Sequence, residues 1–485
     1  MLLSDLVNGD KLGDTPNVEV SGLAADSREV RPGYLFAALS GSQADGSAYI
    51  PDALKHGAVA LLTGPEAVID RSDIPCVRDA NPRRRLALMA AKFFGRQPAT
   101  IAAVTGTNGK TSVAAFTRQI WADTGLKAGS LGTLGVVAPG FEEKLIHTTP
   151  DPVALHRMLA DLAIGGVEHL ALEASSHGLD QCRLDAVRIK VAAFTNLSRD
   201  HLDYHPTVTA YLNAKLRLFD TLLPEGGGAV VNADADVFDK VAPVCRRRGH
   251  ELLTYGRKGK DLRLVDLRPR STGQHMVVEI LGRRAEIDLP LAGRFQAANA
   301  LCALGFALHS GIEPDIGIDA LTRLQPVAGR IEMVASHPGG APIFVDYAHT
   351  PDALKTILCA LRPHTAQRLV VVFGAGGDRD KGKRPQMGAV ANCLADVAFV
   401  TDDNPRTEDP AAIRAEIMPA CPDAAEVGDR AEAIRQAVGV LKEGDVLVIA
   451  GKGHEQGQIV GDEVKPFDDA EEARRAVAEL GEGGR

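Results

Sequence analysis

TIAAVTGTNGKTSVAAF, residues 100–116, is the stretch that decides the fold class of this chain. Its first residues are apolar or β-branched and predict a buried strand, and the run from Lys110 to about Asp123 predicts a helix. Between them, GTNG at 106–109 can wrap phosphate oxygens with its backbone N–H groups at the helix N-terminus. Lys110 can reach the β and γ phosphates, and the Thr111 hydroxyl can bind Mg²⁺. The stretch therefore predicts a site for ATP or GTP.

This turn departs from the general phosphate-loop pattern GxxxxGK[ST]. Val104 stands where that pattern has its first glycine. The alternative interpretation is a glycine-rich turn followed by an incidental Lys-Thr pair. The predicted strand before the turn and helix after it favour the nucleotide site.

The rest of the chain repeats the strand-then-helix pattern, which is typical of parallel sheets covered by helices. Pro326 and Gly329 interrupt a helical pattern in LQPVAGR (324–330), and we place a domain boundary there. Beyond it the alternation restarts and predicts a second, doubly wound sheet. The predicted strands are 169–174, 191–197, 228–233, 343–348, 369–374, 397–402 and 445–450, and the predicted helices after the boundary are 351–362, 385–395, 410–420 and 430–441.

The length of 485 residues suggests about three domains, at roughly 150 residues each. Near the N-terminus, VEVSGLAADS (18–27) and GYLFAAL (33–39) predict extended pieces, and NPRRRLALMAAKFFG (81–95) predicts a helix that enters the second domain. We expect an α/β protein of three domains. They are an N-terminal mixed α/β domain over 1–86, a central phosphate-loop domain with a mostly parallel sheet over 87–328, and a C-terminal Rossmann-like doubly wound domain over 329–485.

The composition excludes several classes of protein. Lys and Arg number 54 against 63 Asp and Glu, and the resulting net charge of −9 argues against nucleic acid as the main partner. The seven cysteines never form CxxC, so neither a disulfide scaffold nor a zinc finger is indicated, and a reducing compartment fits best. The sequence shows no signal peptide and no run of about 18 apolar residues. We expect a cytoplasmic protein that is neither exported nor membrane-spanning.

Two segments of the central domain carry groups that suit a metal ion. Glu173 ends the strand predicted beside the phosphate-loop strand, at the edge where α/β sheets bind ligands, and could hold Mg²⁺. His201 and His205 are four residues apart and would share a face of any helix there, so zinc is the alternative. No HExxH accompanies them, and the nearby aspartates favour a hard ion. A surface or capping role for His205 remains open, and by composition Lys215 is a solvated helix residue.

Three predicted strand ends of the C-terminal domain carry charged or glycine-rich segments, at 374–384, 402–406 and 451–455. Parallel strands would bring these ends to one edge of the sheet. Asp403 and Glu455 offer carboxylates for an amine. Arg379 and Arg406 offer guanidinium groups for a carboxylate, so the set complements a zwitterionic amino acid. GAGGD at 374–378 does not meet the GxGxxG fingerprint, and we discount NAD.

A series of motifs along the chain closely resembles the Mur ligase family, and within it the type that adds meso-diaminopimelate. In chain order they are GTNGKT, LEASSHGL, TNLSRDHLDYH, LQPVAGR, VDYAHTPDAL, FGAGGDRDKGKRP, TDDNPRTEDP and AGKGHE. The resemblance implies an N-terminal uridine-nucleotide domain, a central ATPase domain and a C-terminal amino-acid domain. It implies ligation of the diamino acid to the D-glutamyl γ-carboxylate of UDP-N-acetylmuramoyl-L-alanyl-D-glutamate, with ATP as co-substrate and Mg²⁺ as cofactor. This reaction belongs to peptidoglycan synthesis, and so to cell-wall biogenesis, cell shape and cell division.

The resemblance also implies roles for individual residues. The implied ATP contacts are Gly106, Thr107, Asn108, Gly109, Lys110, Thr111, Ser112, Asn299, Arg330 and Asp346. The implied metal ligands are Thr111, Glu173, His201 and Lys215, the last as a lysine carbamylated by CO₂. The implied UDP-substrate contacts are Ser27, Ser42, Gln43, Ala44, Thr148, Thr149, Ser175, Gln181 and Arg183. The implied diaminopimelate contacts are Arg379, Asp403, Asn404, Pro405, Arg406, Gly451 and Glu455.

Arg406 in DNPR is the informative residue of the implied amino-acid site. In family members that add L-lysine this arginine is typically absent, because lysine lacks the second carboxylate that Arg406 would grip. His147 stands where the family commonly has Asn, at the position of a peripheral substrate contact. The resemblance therefore favours diaminopimelate as the amine.

The implied reaction needs an activated carboxylate, because a carboxylate is a poor electrophile. Transfer of the γ-phosphoryl group of ATP would give an acyl phosphate, and Lys110 and Mg²⁺ would offset the charge on the phosphoryl oxygens. The attacking amine must lose a proton. His349 in DYAHTP is a candidate acceptor, with a structural role as the alternative.

Two other functions remain as alternatives. The first is a lysine-adding or folylpolyglutamate synthase-like ligase, which DNPR and the N-terminal segment disfavour. The second is a nucleotide-dependent switch or scaffold that binds ATP without ligation. For the ligase, we expect a monomer whose partners are small molecules, with no nucleic acid and no membrane.

Overall fold

A computed structural model describes residues 1–7, 16–41, 45–69, 73–145, 147–198, 200–201 and 204–482. It comprises two compact units, residues 1–255 with 302–312 and residues 256–301 with 313–485. Within the described residues, no helix combines the length and the apolar character that a membrane span requires.

The N-terminal part of the first unit is a four-stranded parallel sheet in the order β1-β2-β3-β4. Its elements are α1 (Leu3–Leu6), β1 (Gly22–Ala24), β2 (Tyr34–Ala37), α2 (Ile50–Lys55), β3 (Ala60–Thr63), β4 (Cys76–Arg78) and α3 (Pro82–Phe94). Leu35 of β2 packs in one cluster with Leu86 of α3, and Phe36 packs in another with Ala53 of α2. The sequence predicted β1, β2 and α3, whereas β3 and β4 were not predicted.

The central sheet of the first unit is built around the phosphate-loop strand, β5. Its elements are β5 (Thr100–Thr105), α4 (Lys110–Asp123), β6 (Ala128–Gly132), β7 (Gly135–Ala138), β8 (Phe141–Glu143), α5 (Pro152–Ile164), β9 (His169–Glu173), α6 (Ser176–Asp180), β10 (Ile189–Phe194), α7 (Val208–Arg217), β11 (Gly228–Asn232), α8 (Phe238–Arg247) and β12 (Glu251–Gly256). The strand order is β12-β11-β10-β5-β9-β6-β7-β8, with β7 and β8 antiparallel and the others parallel.

Strand β5 lies between β9 and β10 with the carboxyl ends of all three strands aligned. Val104 is opposite Glu173, and Thr105 is opposite Phe194. The prediction that Glu173 ends a strand beside the phosphate-loop strand is confirmed. The loops that follow these strands consequently meet at one edge of the sheet.

The next elements were not predicted from the sequence. They are β13 (Leu262–Pro269), β14 (Gln274–Ile280), β15 (Arg283–Leu289), α9 (Arg294–His309) and α10 (Pro314–Leu321). The three strands form an antiparallel meander. They lack the strand-then-helix alternation by which strands such as β9, β10 and β11 were found.

The second unit contains a six-stranded sheet in the order β16-β17-β21-β18-β19-β20, in which only β16 is antiparallel. Its elements are β16 (Glu332–Ser336), β17 (Pro342–Asp346), α11 (Pro351–Leu361), β18 (Leu369–Phe373), α12 (Lys383–Leu394), β19 (Val397–Val400), α13 (Pro410–Ile417), β20 (Ala425–Glu426), α14 (Arg430–Gly439), β21 (Val446–Ala450), β22 (Gly457–Val460), β23 (Glu463–Pro466) and α15 (Asp469–Glu482).

Helices cover both faces of this sheet, as the sequence predicted. Alternate residues of a strand point to opposite faces. Val371 and Val448 pack with side chains of α11, α12 and α13, whereas Val370 and Leu447 pack with side chains of α14 and α15. The expected doubly wound domain is thus confirmed.

Candidate active site

The phosphate loop depends on glycine at both of its ends. Gly106 has φ +148° and Gly109 has φ +89°, values that disfavour residues with a Cβ. A Cβ at Gly106 would also collide with Thr195 Oγ1. The loop after β10 braces the turn, because Asn196 Oδ1 accepts from the Asn108 N–H at 2.9 Å and Thr195 Oγ1 donates to Asn108 O at 2.6 Å. The turn is therefore held in a fixed shape at the start of α4.

Two lysines converge on one carbonyl of this loop. Lys110 Nζ donates to Gly106 O at 3.0 Å and to Thr107 O at 2.9 Å. Lys215 Nζ, from α7, donates to the same Gly106 O at 2.8 Å, and its side chain is only 1% exposed. Burial, reinforced by the Lys110 charge, lowers the pKa of Lys215 well below its ordinary value. The composition-based prediction of a solvated Lys215 is wrong.

Glu173 is held by Thr111, which the sequence analysis named, and by Thr133, which it missed. Its Oε1 accepts from the Thr133 N–H at 2.8 Å, and its Oε2 accepts from Thr111 Oγ1 at 3.0 Å and from Thr133 Oγ1 at 3.2 Å. A Cβ at Gly132 would collide with Glu173 Oε1. The Gly132-Thr133 pair at the end of β6 was the available signal, because glycine leaves room for a carboxylate and threonine supplies hydrogen-bond donors to it.

Five residues implied as UDP-substrate contacts form one connected cluster at this sheet edge. Thr149 Oγ1 donates to Glu173 O at 2.9 Å and accepts from the Ser175 N–H at 3.1 Å. Arg183 Nη1 donates to Thr149 O at 2.7 Å, and its Nη2 donates to Gln181 Oε1 at 2.8 Å. Thr148 Oγ1 lies 3.1 Å from Thr133 Oγ1.

The implied uridine contacts lie in the N-terminal part of the chain. Ser27 is buried, its Oγ donates to Asp52 Oδ2 at 3.4 Å, and its carbonyl lies 3.0 Å from His56 Nδ1. The other three implied contacts, Ser42, Gln43 and Ala44, lie outside the described residues.

Histidine rings from α6 and from the segment after β10 lie close together. The His177 ring lies 4.9 Å from the His201 ring and 5.6 Å from the His205 ring, measured between centroids. The described residues between 200 and 207 form no helix, and His201 has φ +51°, so the helical-face argument for zinc is wrong. His205 is buried rather than on the surface. Among the described residues, no group of three or more His, Cys, Asp or Glu side chains could hold a metal ion.

In the second unit, the predicted strand-end segments meet at one edge of the sheet. Asp346 of β17 is opposite Ala450 of β21, and Phe373 of β18 is opposite Val400 of β19. A Cβ at Gly377 would collide with the carbonyl oxygen of Pro405. The DNPR segment therefore packs directly against the backbone of GAGGD. This close approach is a physical reason for the glycines of GAGGD other than dinucleotide binding.

A buried polar cluster connects DNPR to AGKGHE. Asn404 Oδ1 accepts from Lys452 Nζ at 2.9 Å, and Asn404 Nδ2 donates to Glu455 Oε2 at 3.0 Å. Lys452 is fully buried, and burial lowers the pKa of its amine. Asp403 is buried, and its Oδ2 accepts no hydrogen bond from the described residues. AGKGHE was recognised, but a role for Lys452 was missed.

The two arginines of the predicted amino-acid site differ in exposure. Arg406 is half-buried, and its Nη1 donates to Gly377 O at 2.8 Å. Arg379 is exposed, and its Nη1 donates to Asp378 O at 3.3 Å. These contacts bring Asp403, Arg406 and Glu455 to the same group of loops, and each guanidinium keeps further donors for a carboxylate.

Models of three Mur ligase domains match successive parts of the chain. The Mur ligase family catalytic domain matches residues 19–94, the Mur ligase middle domain matches 104–307, and the Mur ligase glutamate ligase domain matches 329–453. The chain belongs to the Mur ligase family. The three-domain α/β architecture expected from the sequence is confirmed by these matches.

Named relatives and solved structures agree with this membership. The UDP-N-acetylmuramoyl-L-alanyl-D-glutamate--2,6-diaminopimelate ligase of Rhizobium meliloti (strain 1021) is 54% identical over 468 residues, 96% of each chain. A solved structure of a ligase of the same name is 32% identical, covers 99% of each chain and has a TM-score of 0.76. The MurF ligase of Thermotoga maritima in complex with ADP is 20% identical, with a TM-score of 0.61 over 96% of this chain and 98% of that one, and it supports the fold alone.

The remaining nucleotide contacts implied for this Mur ligase lie around β17. Asp346 Oδ2 accepts from the Ile331 N–H, and Asp346 Oδ1 accepts from the Ala348 N–H, both at 2.9 Å. This carboxylate therefore also stabilises the backbone at Ile331 and Ala348. Burial raises the pKa of Asp346. The Arg330 guanidinium lies 5.0 Å from the centroid of the Tyr347 ring.

Two further implied residues have partners in the same unit. Asn299 Nδ2 donates to Gln296 Oε1 at 3.0 Å. His349 Nδ1 lies 2.9 Å from Tyr347 O, a distance at which a protonated Nδ1 donates to the carbonyl and leaves Nε2 as the acceptor.

Proposed function

We propose that this Mur ligase adds meso-diaminopimelate to the γ-carboxylate of UDP-N-acetylmuramoyl-L-alanyl-D-glutamate at the expense of ATP. The observation that carries the proposal is the loop cluster at the carboxyl ends of β18, β19 and β21. Asp403 and Glu455 supply carboxylates for the ammonium group, and Arg406 supplies a guanidinium for the distant carboxylate. The names of the full-length relatives support the same reaction.

ATP would bind at GTNGKT, with Lys110 and the loop N–H groups on its phosphates. The residues implied as magnesium ligands fit a hard divalent ion. Thr111 Oγ1 and Glu173 Oε2 are buried oxygen atoms only 3.0 Å apart, and Mg²⁺ prefers oxygen ligands. His201 and a carbamylated Lys215 would complete the ligand set. When bound, Mg²⁺ would supply positive charge that neutralises the phosphoryl oxygens.

Carbamylation of Lys215 is supported by its surroundings. Carbamate formation requires the neutral amine, and burial beside Lys110 favours that form of Lys215. Two ammonium groups that share Gly106 O would repel each other, whereas an anionic carbamate would be attracted to Lys110.

The proposed reaction has two steps. The γ-carboxylate attacks the γ-phosphorus of ATP, the bond to ADP breaks, and an acyl phosphate forms while Lys110 offsets the charge on the transferred group. The neutral amine of diaminopimelate then bonds to the acyl carbon. The resulting tetrahedral intermediate loses a proton from its nitrogen and expels phosphate, which leaves the amide. His349, whose Nε2 accepts when Nδ1 carries the proton, is our candidate acceptor of the amine proton.

We further infer that the enzyme works as a cytoplasmic monomer on small molecules, without nucleic acid or membrane as a partner. The net charge of −9 argues against nucleic acid as a partner, and the absence of CxxC pairs fits a reducing compartment.

Phosphate release tests the proposed function. With ATP, Mg²⁺ and UDP-N-acetylmuramoyl dipeptide, we expect release to require an amine and to be roughly tenfold to a hundredfold faster in kcat/KM with meso-diaminopimelate than with L-lysine, because lysine leaves Arg406 without a carboxylate. Phosphate release that does not depend on the amine would contradict the ligase and favour the switch or scaffold. A preference for lysine would contradict the amine specificity alone.

Arg406→Ala tests the role of the guanidinium. We expect KM for diaminopimelate to rise about tenfold to a hundredfold, because charge-assisted hydrogen bonds to the second carboxylate are lost, with little change in KM for ATP. Arg362→Ala is the matched control. Arg362 forms an ion pair with Asp396 in the same unit, but it precedes β18, whereas the amino-acid site lies at the carboxyl ends of the strands. Equal losses toward ATP and diaminopimelate in Arg406→Ala would assign Arg406 a structural role.

A further inference from the structure

A small hairpin follows AGKGHE and lies beyond residue 453, where the match to the glutamate ligase domain ends. It is a two-stranded antiparallel sheet, β22 and β23, with Val460 paired to Glu463. Gly461 has φ +60° at the first position of the two-residue turn, as in type II′ turns. The strand β23 is exposed along its whole length. The hairpin therefore adds little to the core of the unit.

The outer edge of β22 binds the DNPR segment. In a hairpin with a two-residue turn, the pair next to the turn exchanges hydrogen bonds and the following pair, in this case Ile459 and Val464, does not. The peptide groups of Ile459 thus point outward. The Arg406 N–H donates to Ile459 O at 3.0 Å, and the Gly461 N–H donates to Arg406 O at 2.7 Å. Both backbone polar groups of Arg406 are thus hydrogen-bonded to the hairpin, and Arg406 forms a parallel β-bridge with Val460.

The two residues before Pro405 are held by the same strand. The Ile459 N–H donates to Asn404 Oδ1 at 3.0 Å, and Gln458 Nε2 donates to Asp403 O at 2.7 Å. Asn404 Oδ1 is therefore occupied by donors, so its Nδ2 faces Glu455 Oε2. One strand contacts three of the four DNPR residues.

Arg406 needs such support because its backbone is in the left-handed region, with φ +53°. A non-glycine residue there is strained and keeps that conformation only where the surroundings fix it. The same conformation determines where its guanidinium lies, with Nη1 donating to Gly377 O at 2.8 Å. The hairpin supplies the partners of both Arg406 backbone groups, so its removal would leave this conformation without that support.

We propose that the hairpin of residues 457–466 is the specificity-determining element of the amino-acid site. It positions Arg406 for the second carboxylate of a diamino dicarboxylic acid through its hydrogen bonds to Asp403, Asn404 and Arg406. This inference rests on the proposed function. Gln458, Ile459 and Gly461 are positioning residues, and Arg406 is the residue that contacts the substrate.

Excision of the hairpin tests this proposal in the full chain. Residues 457–466 are replaced by a short Gly-Asn-Gly linker, which can close the gap because the Phe467 N–H donates to Gln456 O at 3.4 Å. We expect KM for meso-diaminopimelate to rise about tenfold, the diaminopimelate-to-lysine ratio of kcat/KM to fall by a similar factor, and KM for ATP to stay unchanged. Gln458→Leu, which removes one side-chain hydrogen bond, should produce about a threefold effect in the same direction.

Lys465→Gln is the matched control, because Lys465 is exposed on β23, and it should retain the wild-type ratio. If the excision variant does not fold, Gln458→Leu carries the test. An unchanged ratio in Gln458→Leu and in a folded excision variant would overturn the proposal, as would equal losses with diaminopimelate, lysine and ATP. Failure of the proposed function is distinguishable, because the wild-type enzyme would then show no amine-dependent phosphate release.

Discussion

Lys110→Met is expected to reduce amine-dependent phosphate release by about 10³-fold, a larger loss than any other single substitution in the phosphate loop or the amino-acid site should cause. Methionine has a similar length but no charge, so charge on the transferred phosphoryl group would be offset less well. Lys110 lies at the start of α4, next to a loop whose shape is fixed by Asn196 and Thr195. Initial rates with saturating UDP-N-acetylmuramoyl dipeptide and diaminopimelate measure the effect.

The control for this variant is Lys190→Met. Lys190 is exposed on β10, the strand next to β5, so it tests the loss of one positive charge from the same sheet without touching the loop. We expect near wild-type rates for it. The melting temperature of Lys110→Met should change by only a few degrees, because the substitution removes hydrogen bonds to the Gly106 and Thr107 carbonyls but keeps a side chain of similar length. Wild-type phosphate release in Lys110→Met would refute the assignment of GTNGKT to the phosphates.

Lys215→Ala is expected to lower the rate by about 10² to 10³-fold and to recover part of it when a short carboxylate such as formate or acetate is added. The substitution removes a buried side chain whose Nζ reaches Gly106 O and lies 4.3 Å from the centroid of the Tyr211 ring. The space that remains can admit a small anion, which would replace the carboxylate oxygens of the proposed carbamate.

Lys215→Met separates this explanation from a simple packing defect. Methionine fills the same space but cannot be carbamylated, so activity should fall without recovery by carboxylates. Removal of CO₂ and bicarbonate from the assay should lower wild-type activity, and re-addition should restore it. Equal recovery of both variants, or none in Lys215→Ala, would count against carbamylation of Lys215.

The predicted strands and helices came close to those observed wherever the pattern was local. A strand at 100–106 and a helix at 110–123 were predicted because an apolar run, a glycine turn and an amphipathic segment follow one another directly, and they are observed at 100–105 and 110–123. The strands β18 and β21 were found for the same reason, within about one residue at each end. The antiparallel β13 to β15 were missed because no helix separates them.

The site residues were predicted less completely than the fold. Glu173 was placed correctly beside the phosphate-loop strand, yet Thr133, which donates to it twice, was not considered. His201 and His205 were given a shared helical face that the described backbone does not form, and the positive φ of His201 lies outside the right-handed helical region. Spacing along a sequence predicts proximity only when the backbone conformation between the residues is known.

The sequence by itself determined the α/β class, the glycine-rich turn between β5 and α4 and the family, because all three depend on residues adjacent in the chain. Only the tertiary structure decided which distant residues meet. Lys215 reaches Gly106 across 109 positions, and Gln458 reaches Asp403 across 55. Such contacts depend on strand order, on buried polar groups that require partners, and on the shape of loops at the sheet edge. No local pattern contains this information.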